Sequence, residues 1–402
     1  MSVTFITSFS VRGPGLRVAV KDLIDMAGTP TTAASRVVAD AAVPAGQDAA
    51  CLAGLRAAGA QIVGKANLHE LALGVTGINP WFGTPVNPLD ASLAPGGSSS
   101  GSAVAVATGE ARVAYGTDTG GSIRIPAACC GVCGLKTTWG RIPVAGVRPL
   151  APSLDTVGPM AADVAGLVVG MELLEPGFTV SGPPGPPLRP GPLRVGRLRV
   201  PAAPEVTDAV TAALRATSWE VSDVDPGEWV TATRWTSSLL VGEAYRSNQD
   251  IFDHNATRLS GDVARRLEAG HQVTDALMAA AAQARARWRA ELTGLFARFD
   301  LLVTPTLAIL PPPLDRADGL LEARYTMPVN FAGVPALALP VPARGGLPAS
   351  LQLVGPWGGE ERLLAAGAAV EAAVSEAGPA ATAGRRSARA DGTRGSGGRP
   401  PG

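Results

Sequence analysis

The sequence predicts an α/β protein in which helices cover a central sheet. Short apolar segments alternate with helix-like segments in the first third of the chain, and apolar strand-like segments return near its end. A chain of 402 residues, 46% hydrophobic and 17% charged, can bury such a core. In proteins of this class, functional sites form where loops leave the strand ends.

The first third shows the alternation most clearly. Strands are expected at residues 16–20, 61–64 and 112–115, and helices at residues 48–58 and 98–108. The first strand ends at Lys21, and the third runs into a glycine-rich turn. This order is typical of βαβ units.

The remainder is less regular. The sequence predicts a turn and one amphipathic helix (153–177), a Pro/Gly-rich connector (181–201) with a short strand (193–198), and helices (206–299) with a long one at 274–299. Strands at 301–304, 336–340 and 350–354 and a helix at 360–376 follow, before a disordered tail at 377–402. We therefore expect one domain over residues 1–376, with a core at about 16–175 and C-terminal strands and helix at 300–376.

Composition narrows the functional classes. Basic and acidic residues balance at 34 each, which gives no electrostatic case for nucleic acid or a membrane surface as partner. A small soluble substrate fits this charge balance better. The start has no basic segment before a sustained apolar run, so we expect a cytoplasmic protein. The four cysteines do not form two C-x-x-C pairs, and no metal or other cofactor is expected. A homo-oligomer is left open.

Two serine sites, each preceded by a glycine pair, raise several alternatives. Gly96 and Gly101 have the spacing of a phosphate-binding loop, but Ser102 stands where that loop needs lysine. Residues 97–101 match G-x-S-x-G, yet a loop precedes them where a nucleophile elbow needs a strand. The three histidines lie in helix-like segments, so a Ser-His-Asp hydrolase is not favoured.

Lysine is rare in this chain. Only Lys21, Lys65 and Lys136 are present among the 34 basic residues. A lysine amine can lose its proton when buried and act as a base, whereas a guanidinium stays charged. A serine activated by a neutral lysine is therefore an open alternative.

Several segments resemble the amidase signature family. They are VKD from Val20, GGSSSGSAVAVA from Gly96 and GTDTGGSIRIPAACCGVCGLK from Gly116. NLHELALGVTGINPWFGTPVNP from Asn67, SLDTVGP from Ser153, TPT from Thr304 and NFAGVPALALPVPARGGLPASLQLVG from Asn330 extend the similarity over most of the chain. The resemblance implies a mixed, twisted β-sheet flanked on both faces by α-helices, and a Ser–cis-Ser–Lys triad that cleaves carboxamides.

The resemblance also implies roles for individual residues. Ser122 would be the nucleophile, Ser98 the bridging serine after a cis peptide, and Lys21 the general base. The oxyanion hole would consist of the backbone N–H groups of Thr119, Gly120, Gly121 and Ser122. The candidates for supporting roles are Ser99, Asp118 and Arg124. Lys65 and Lys136 are expected to make structural hydrogen bonds.

We expect the first of three functions, with an acyl-enzyme on Ser122, and the other two are alternatives. The first is hydrolysis of a small carboxamide to a carboxylic acid and ammonia or an amine. The second is the glutaminase (A) subunit of a glutamyl-tRNA amidotransferase-like complex, which needs a partner protein. The third is a non-catalytic scaffold or binding protein of the same fold.

Overall fold

A mixed sheet of eleven strands runs through the part of the chain that the computed structural model describes, residues 3–11, 13–180, 192–225 and 227–377. The strands are β1 (Phe5–Ser8), β2 (Arg17–Lys21), β3 (Gln61–Ala66), β4 (Val113–Thr117), β5 (Cys133–Lys136), β6 (Val157–Ala161), β7 (Arg194–Leu198), β8 (Glu220–Val224), β9 (Leu301–Pro305), β10 (Ala336–Val341) and β11 (Ala349–Val354). Their order in the sheet is β1-β3-β2-β4-β6-β5-β10-β11-β9-β7-β8. The pairs β2–β3, β2–β4, β7–β8 and β7–β9 are parallel, and the others are antiparallel.

Thirteen α-helices accompany the sheet within the described residues. They are α1 (Arg36–Ala41), α2 (Ala53–Ala57), α3 (Ser100–Ala107), α4 (Arg124–Cys130), α5 (Val164–Leu174), α6 (Pro204–Ala216), α7 (Trp229–Ser247), α8 (Gln249–Asn255), α9 (Gly261–His271), α10 (Asp275–Arg298), α11 (Ala317–Leu320), α12 (Met327–Ala332) and α13 (Glu360–Ala377). None of them is both long and apolar enough to cross a membrane.

Strand β2 shows why helices cover both faces of the sheet. Val18 and Val20 pack in one hydrophobic cluster together with Leu167 of α5. Ala19, which lies between them, packs in a different cluster with Ala103 of α3. Successive side chains of a strand point to opposite faces, so a strand that is apolar throughout must be covered twice. The predicted α/β class with a mixed sheet and helices on both faces is confirmed.

The parallel strands set the position of the functional loops. Val20 of β2 lies opposite Lys65 of β3 and Tyr115 of β4. Because the three strands run in the same direction, the segments after Lys21 and Thr117 leave the sheet at the same edge.

Some predicted elements need correction. Residues 153–177 hold strand β6 before helix α5, where the sequence predicted only a turn and a helix. Residues 48–58 form a 3₁₀ turn at Ala50–Leu52 and the short α2 instead of one longer helix. Strands β1, β5 and β8 were not predicted. Residues 181–191 of the expected connector and residues 378–402 of the expected tail lie outside the described residues.

Candidate active site

Lys21 lies at the carboxyl end of β2, with no exposed side-chain surface. Its Nζ donates hydrogen bonds to Ser98 Oγ at 2.7 Å and to Thr117 Oγ1 at 2.8 Å. Burial lowers the pKa of Lys21 to about 7, against the opposing effect of the negative charges of Asp118 and Asp155. An amine with such a pKa is largely neutral in mildly alkaline solution and can accept a proton.

The serine next to this amine is Ser98, which is also fully buried. The peptide bond between Gly97 and Ser98 is cis. The Gly97 N–H donates to Val75 O at 2.7 Å, and the Ser98 carbonyl accepts from His69 N at 3.0 Å. The backbone on both sides of the cis bond is therefore held by hydrogen bonds.

Ser122 lies in the loop between β4 and α4, and 7% of its surface is exposed. Its carbonyl accepts from the N–H of Ser99 at 3.1 Å, which brings the two serine-containing segments into contact. In the described part of the chain, no hydrogen bond engages its hydroxyl. The structure thus brings Ser122 next to the segment that carries Ser98, and the Ser122 hydroxyl is left without a partner among the described residues.

One of the four predicted oxyanion-hole donors already has an acceptor in the structure. The N–H of Gly121 donates to Asp118 Oδ1 at 2.8 Å, so that donor is already engaged. The N–H groups of Thr119, Gly120 and Ser122 have no acceptor among the described residues. Three of the four predicted donors therefore remain available to a developing oxyanion.

Asp118 and Arg124 form a buried ion pair under this loop. Arg124 donates from Nη2 to Asp118 Oδ1 at 2.8 Å and from Nε to Oδ2 at 2.9 Å, and neither side chain is exposed. Burial alone would raise the pKa of Asp118, but the Arg124 guanidinium, the charge of Lys136 and the hydrogen bond from Asn330 together outweigh it and hold the pKa below its usual range. The pair braces the loop and makes no hydrogen bond to the Ser122 hydroxyl.

Three residues for which the sequence predicted no role make hydrogen bonds to the loop of Ser122 and its buried ion pair. Asn330 Nδ2 donates to Asp118 Oδ1 at 2.8 Å, and Gln352 Oε1 accepts from Arg124 at 2.7 Å. Asp155 accepts from Thr119 Oγ1 at 2.6 Å, and burial raises its pKa. Asn330, Gln352 and Asp155 all lie in segments that carry the family resemblance, which was the one sequence signal that pointed to them.

Apolar side chains lie beside the loop. A Cβ placed on Gly120 would stand 3.2 Å from Leu240 Cδ1 and 3.5 Å from Met327 Cγ. Both of these side chains are only partly buried. The surface next to the candidate nucleophile is therefore partly apolar.

The other singled-out residues have structural partners. Lys65 donates to Ile24 O at 2.6 Å, and Lys136 donates to Thr137 O at 2.8 Å, in agreement with the expected structural hydrogen bonds. Ser99, which follows Ser98 in the chain, donates from Oγ to Thr117 O at 3.3 Å. Its hydroxyl therefore bonds to the backbone and not to the hydroxyl of Ser98 or Ser122.

The histidines give no support to a Ser-His-Asp arrangement. His69 Nε2 lies 2.8 Å from Asp262 Oδ2, and its Nδ1 lies 3.3 Å from Thr76 Oγ1. His254 Nδ1 lies 2.9 Å from Asp250 O, and the ring of His271 packs against Tyr245. None of these contacts involves the hydroxyl of Ser98 or Ser122.

Comparison with known proteins identifies the family. The model of the family described as Amidase matches residues 14–364. The chain belongs to this family. The resemblance to the amidase signature family is confirmed, and so is the expectation of an enzyme that acts on C–N bonds. The alternative of a non-catalytic scaffold therefore loses its support.

The relatives of this amidase-family chain include components of amidotransferases. The A subunit of the glutamyl-tRNA(Gln) amidotransferase of Halobacterium salinarum is 35% identical over 430 residues, covering 91% of this chain and 99% of the relative. The corresponding protein of Symbiobacterium thermophilum is 38% identical over 389 residues, covering 85% and 79%. A crystal structure described as amidase superimposes with a TM-score of 0.79 at 34% identity, covering 89% of this chain and 84% of that one.

Proposed function

We propose that this amidase-family hydrolase cleaves the C–N bond of a carboxamide through an acyl-enzyme on Ser122. The observation that carries the proposal is the 2.7 Å hydrogen bond between the buried amine of Lys21 and Ser98 Oγ, beside the loop of Ser122. A neutral amine can receive a proton passed on by the intermediate hydroxyl, which is both donor and acceptor. The lowered pKa of Lys21 supports the same role.

The proposed reaction proceeds in two halves. Ser122 Oγ attacks the amide carbonyl carbon while its proton passes through Ser98 to Lys21. The oxyanion accepts hydrogen bonds from the N–H groups of Thr119, Gly120 and Ser122. The C–N bond then breaks, and the proton returns by way of Ser98 to the leaving nitrogen. Water hydrolyses the acyl-enzyme with the same base and releases the carboxylic acid.

Substitution of the serines tests this proposal. Ser122→Ala should abolish both labelling by a fluorophosphonate probe and ammonia release from a panel of amides. Ser100→Ala is the matched control, because Ser100 Oγ is buried and has no hydrogen-bond partner in the part of the chain that the structure describes. We expect the control to keep its labelling and turnover. Undiminished turnover by a folded Ser122→Ala protein would refute the acyl-enzyme.

A second candidate function is favoured by the names of the relatives. The proteins of H. salinarum and S. thermophilum are both A subunits of a glutamyl-tRNA(Gln) amidotransferase, and they match most of this chain. On this alternative, glutamine is the amide and a second protein chain is the partner. The partly apolar surface formed by Leu240 and Met327 beside Gly120 instead favours a less polar acyl group.

A substrate comparison separates the two candidates. Ammonia release should be measured with glutamine and with neutral aliphatic and aromatic amides, using the chain alone and with the other amidotransferase components of a related organism. Turnover of neutral amides by the chain alone supports a stand-alone amidase. Glutamine turnover that requires the added components supports the second candidate.

A further inference from the structure

The Lys21 amine has a second hydroxyl neighbour, Thr117, for which neither the sequence nor the family resemblance supplied a role. Thr117 Oγ1 accepts from Lys21 Nζ at 2.8 Å, almost the same distance as Ser98 Oγ at 2.7 Å. We propose that Thr117 is a positioning residue that directs the lone pair of the neutral Lys21 amine toward Ser98. This inference rests on the proposed function, in which Lys21 receives the proton from Ser98.

The number of hydrogens on the amine determines how many hydrogen bonds it can donate. A neutral amine carries two N–H groups and one lone pair in a tetrahedral arrangement, and only the lone pair can accept a proton. The Nζ–Cε bond allows rotation, so burial alone does not fix where the lone pair points. When Thr117 Oγ1 accepts from one N–H, fewer rotational positions of the amino group about the Nζ–Cε bond remain. In one of these positions the lone pair points at the other hydroxyl, Ser98 Oγ.

The position of the Thr117 side chain is fixed by strand β4. It is the last residue of β4, it pairs with Val157 of β6, and only 4% of its surface is exposed. Its own carbonyl accepts from Ser99 Oγ at 3.3 Å. A β-branched side chain in a strand has a restricted χ1 angle, so the position of Oγ1 follows from the position of the strand.

The charges that face Lys21 make the role of Thr117 measurable. The carboxylates of Asp118 and Asp155 both favour the protonated form of Lys21, and burial disfavours it. A hydroxyl oxygen accepts a stronger hydrogen bond from an ammonium than from an amine, so Thr117 also favours the protonated form. Its loss should lower the pKa of Lys21, whereas admission of water to the site would raise that pKa toward its ordinary value.

Thr117→Val is the test, because valine keeps the branched shape and removes the acceptor. We expect kcat/KM to fall by roughly 10- to 100-fold, mainly through kcat, since a misdirected reacting group has a cost of this order. The acidic limb of the pH profile should move to lower pH. Thr117→Ser, which restores the hydroxyl, should recover most of the activity and the original limb.

Thr138→Val is the matched control. Thr138 is buried, and its Oγ1 accepts from Gly358 N at 3.1 Å, away from Thr117 and its strand partner Val157. A lower stability of the control protein is compatible with the proposal, but the acidic limb of its pH profile should not move. An acidic limb that moves to higher pH in Thr117→Val, or a Thr117→Ser protein as impaired as Thr117→Val, would overturn the positioning role.

The failure of this inference can be separated from failure of the proposed function. If Thr117→Val retains activity within about twofold with an unmoved limb, while Ser122→Ala remains inactive, the acyl-enzyme stands and the positioning role is wrong. If Ser122→Ala is active, both are wrong.

Discussion

At the scale of single residues, the three lysines show what burial does to an amine. All three side chains are fully buried. Lys65 lies 3.2 Å from the carboxylate of Asp22, and Lys136 donates to two backbone carbonyls. Lys21 instead donates to two side-chain hydroxyls. Lys65 also donates to Thr31 Oγ1 at 3.0 Å, but the negative charge of Asp22 favours its protonated form. A backbone carbonyl has no proton to give, whereas a hydroxyl can pass one on, so Lys21, which donates to two hydroxyls and forms no ion pair among the described residues, is the one suited to acid–base chemistry.

The need for a neutral amine predicts the result of a charge-conserving substitution. Lys21→Arg should lower kcat/KM about as much as Lys21→Ala, by roughly 10²- to 10⁴-fold, because a guanidinium cannot accept the proton. Circular dichroism should show that both proteins are folded. If the arginine protein keeps more than about a tenth of the activity, the base at this position acts through its charge and the neutral-amine mechanism is wrong.

The lowered pKa of Lys21 also predicts a pH dependence. The base works when it is deprotonated, and its pKa is about 7. Activity should therefore rise through neutral pH and level off above it, and at one pH unit below the pKa it should be about tenfold under the plateau. A profile of kcat/KM between pH 5 and 9, about two units to either side of that pKa, measures this. An acidic limb near the ordinary lysine value would contradict it.

At the scale of elements, the loop between β4 and α4 depends on one glycine. Gly121 has a φ of +132°, and a Cβ there would collide with Thr326 Oγ1. Gly121→Ala should therefore displace the loop and lower fluorophosphonate labelling of Ser122 by about 100-fold or more, because a 1 Å displacement has a cost of this order. Gly109→Ala is the control: Gly109 also has a positive φ, of +74°, but a Cβ would meet nothing within 4 Å. Equal labelling of the two proteins would show that the loop tolerates the change.

The elements also show how far the sequence can predict this molecule. Helix α10 and strands β10 and β11 were predicted within a few residues because their composition or length is distinctive. Strand β6 was missed because its sequence, VGPMA, contains glycine and proline and lacks alternation. All five of its residues are buried, and it is a strand because it pairs with β4 and β5.

The candidate site was predictable to a similar degree. Lys21, Ser98 and Ser122 could be named because the family resemblance is carried by their own segments. Thr117 and the Gly121–Asp118 hydrogen bond could not, because spacing along the chain does not give the direction of a side chain or of an N–H group.

At the scale of the whole molecule, Arg141 ties distant segments together. Its guanidinium lies 2.7 Å from Glu175, which follows α5, and 2.8 Å and 2.6 Å from Glu360 and Glu361 at the start of α13. Glu360 is fully buried, and the Arg141 side chain is 16% exposed. These contacts connect α5 and the closing helix to the loop after β5, none of them at the candidate active site.

Arg141→Met should consequently reduce stability and leave the chemistry intact. Removing one partner of a buried ion pair leaves an uncompensated charge, and the typical cost is about 3 kcal/mol or more in the free energy of unfolding. The control is Arg112→Met, which breaks an exposed pair with Asp163 whose side chains are 47% and 44% exposed, and such pairs contribute about 1 kcal/mol or less. Urea unfolding measures the free energy of unfolding of each variant. At urea concentrations well below the unfolding midpoint, kcat/KM of Arg141→Met should match that of the unsubstituted protein. Equal losses of stability in the two variants would mean that the buried carboxylates find other partners, and that Arg141 does not anchor the closing helix.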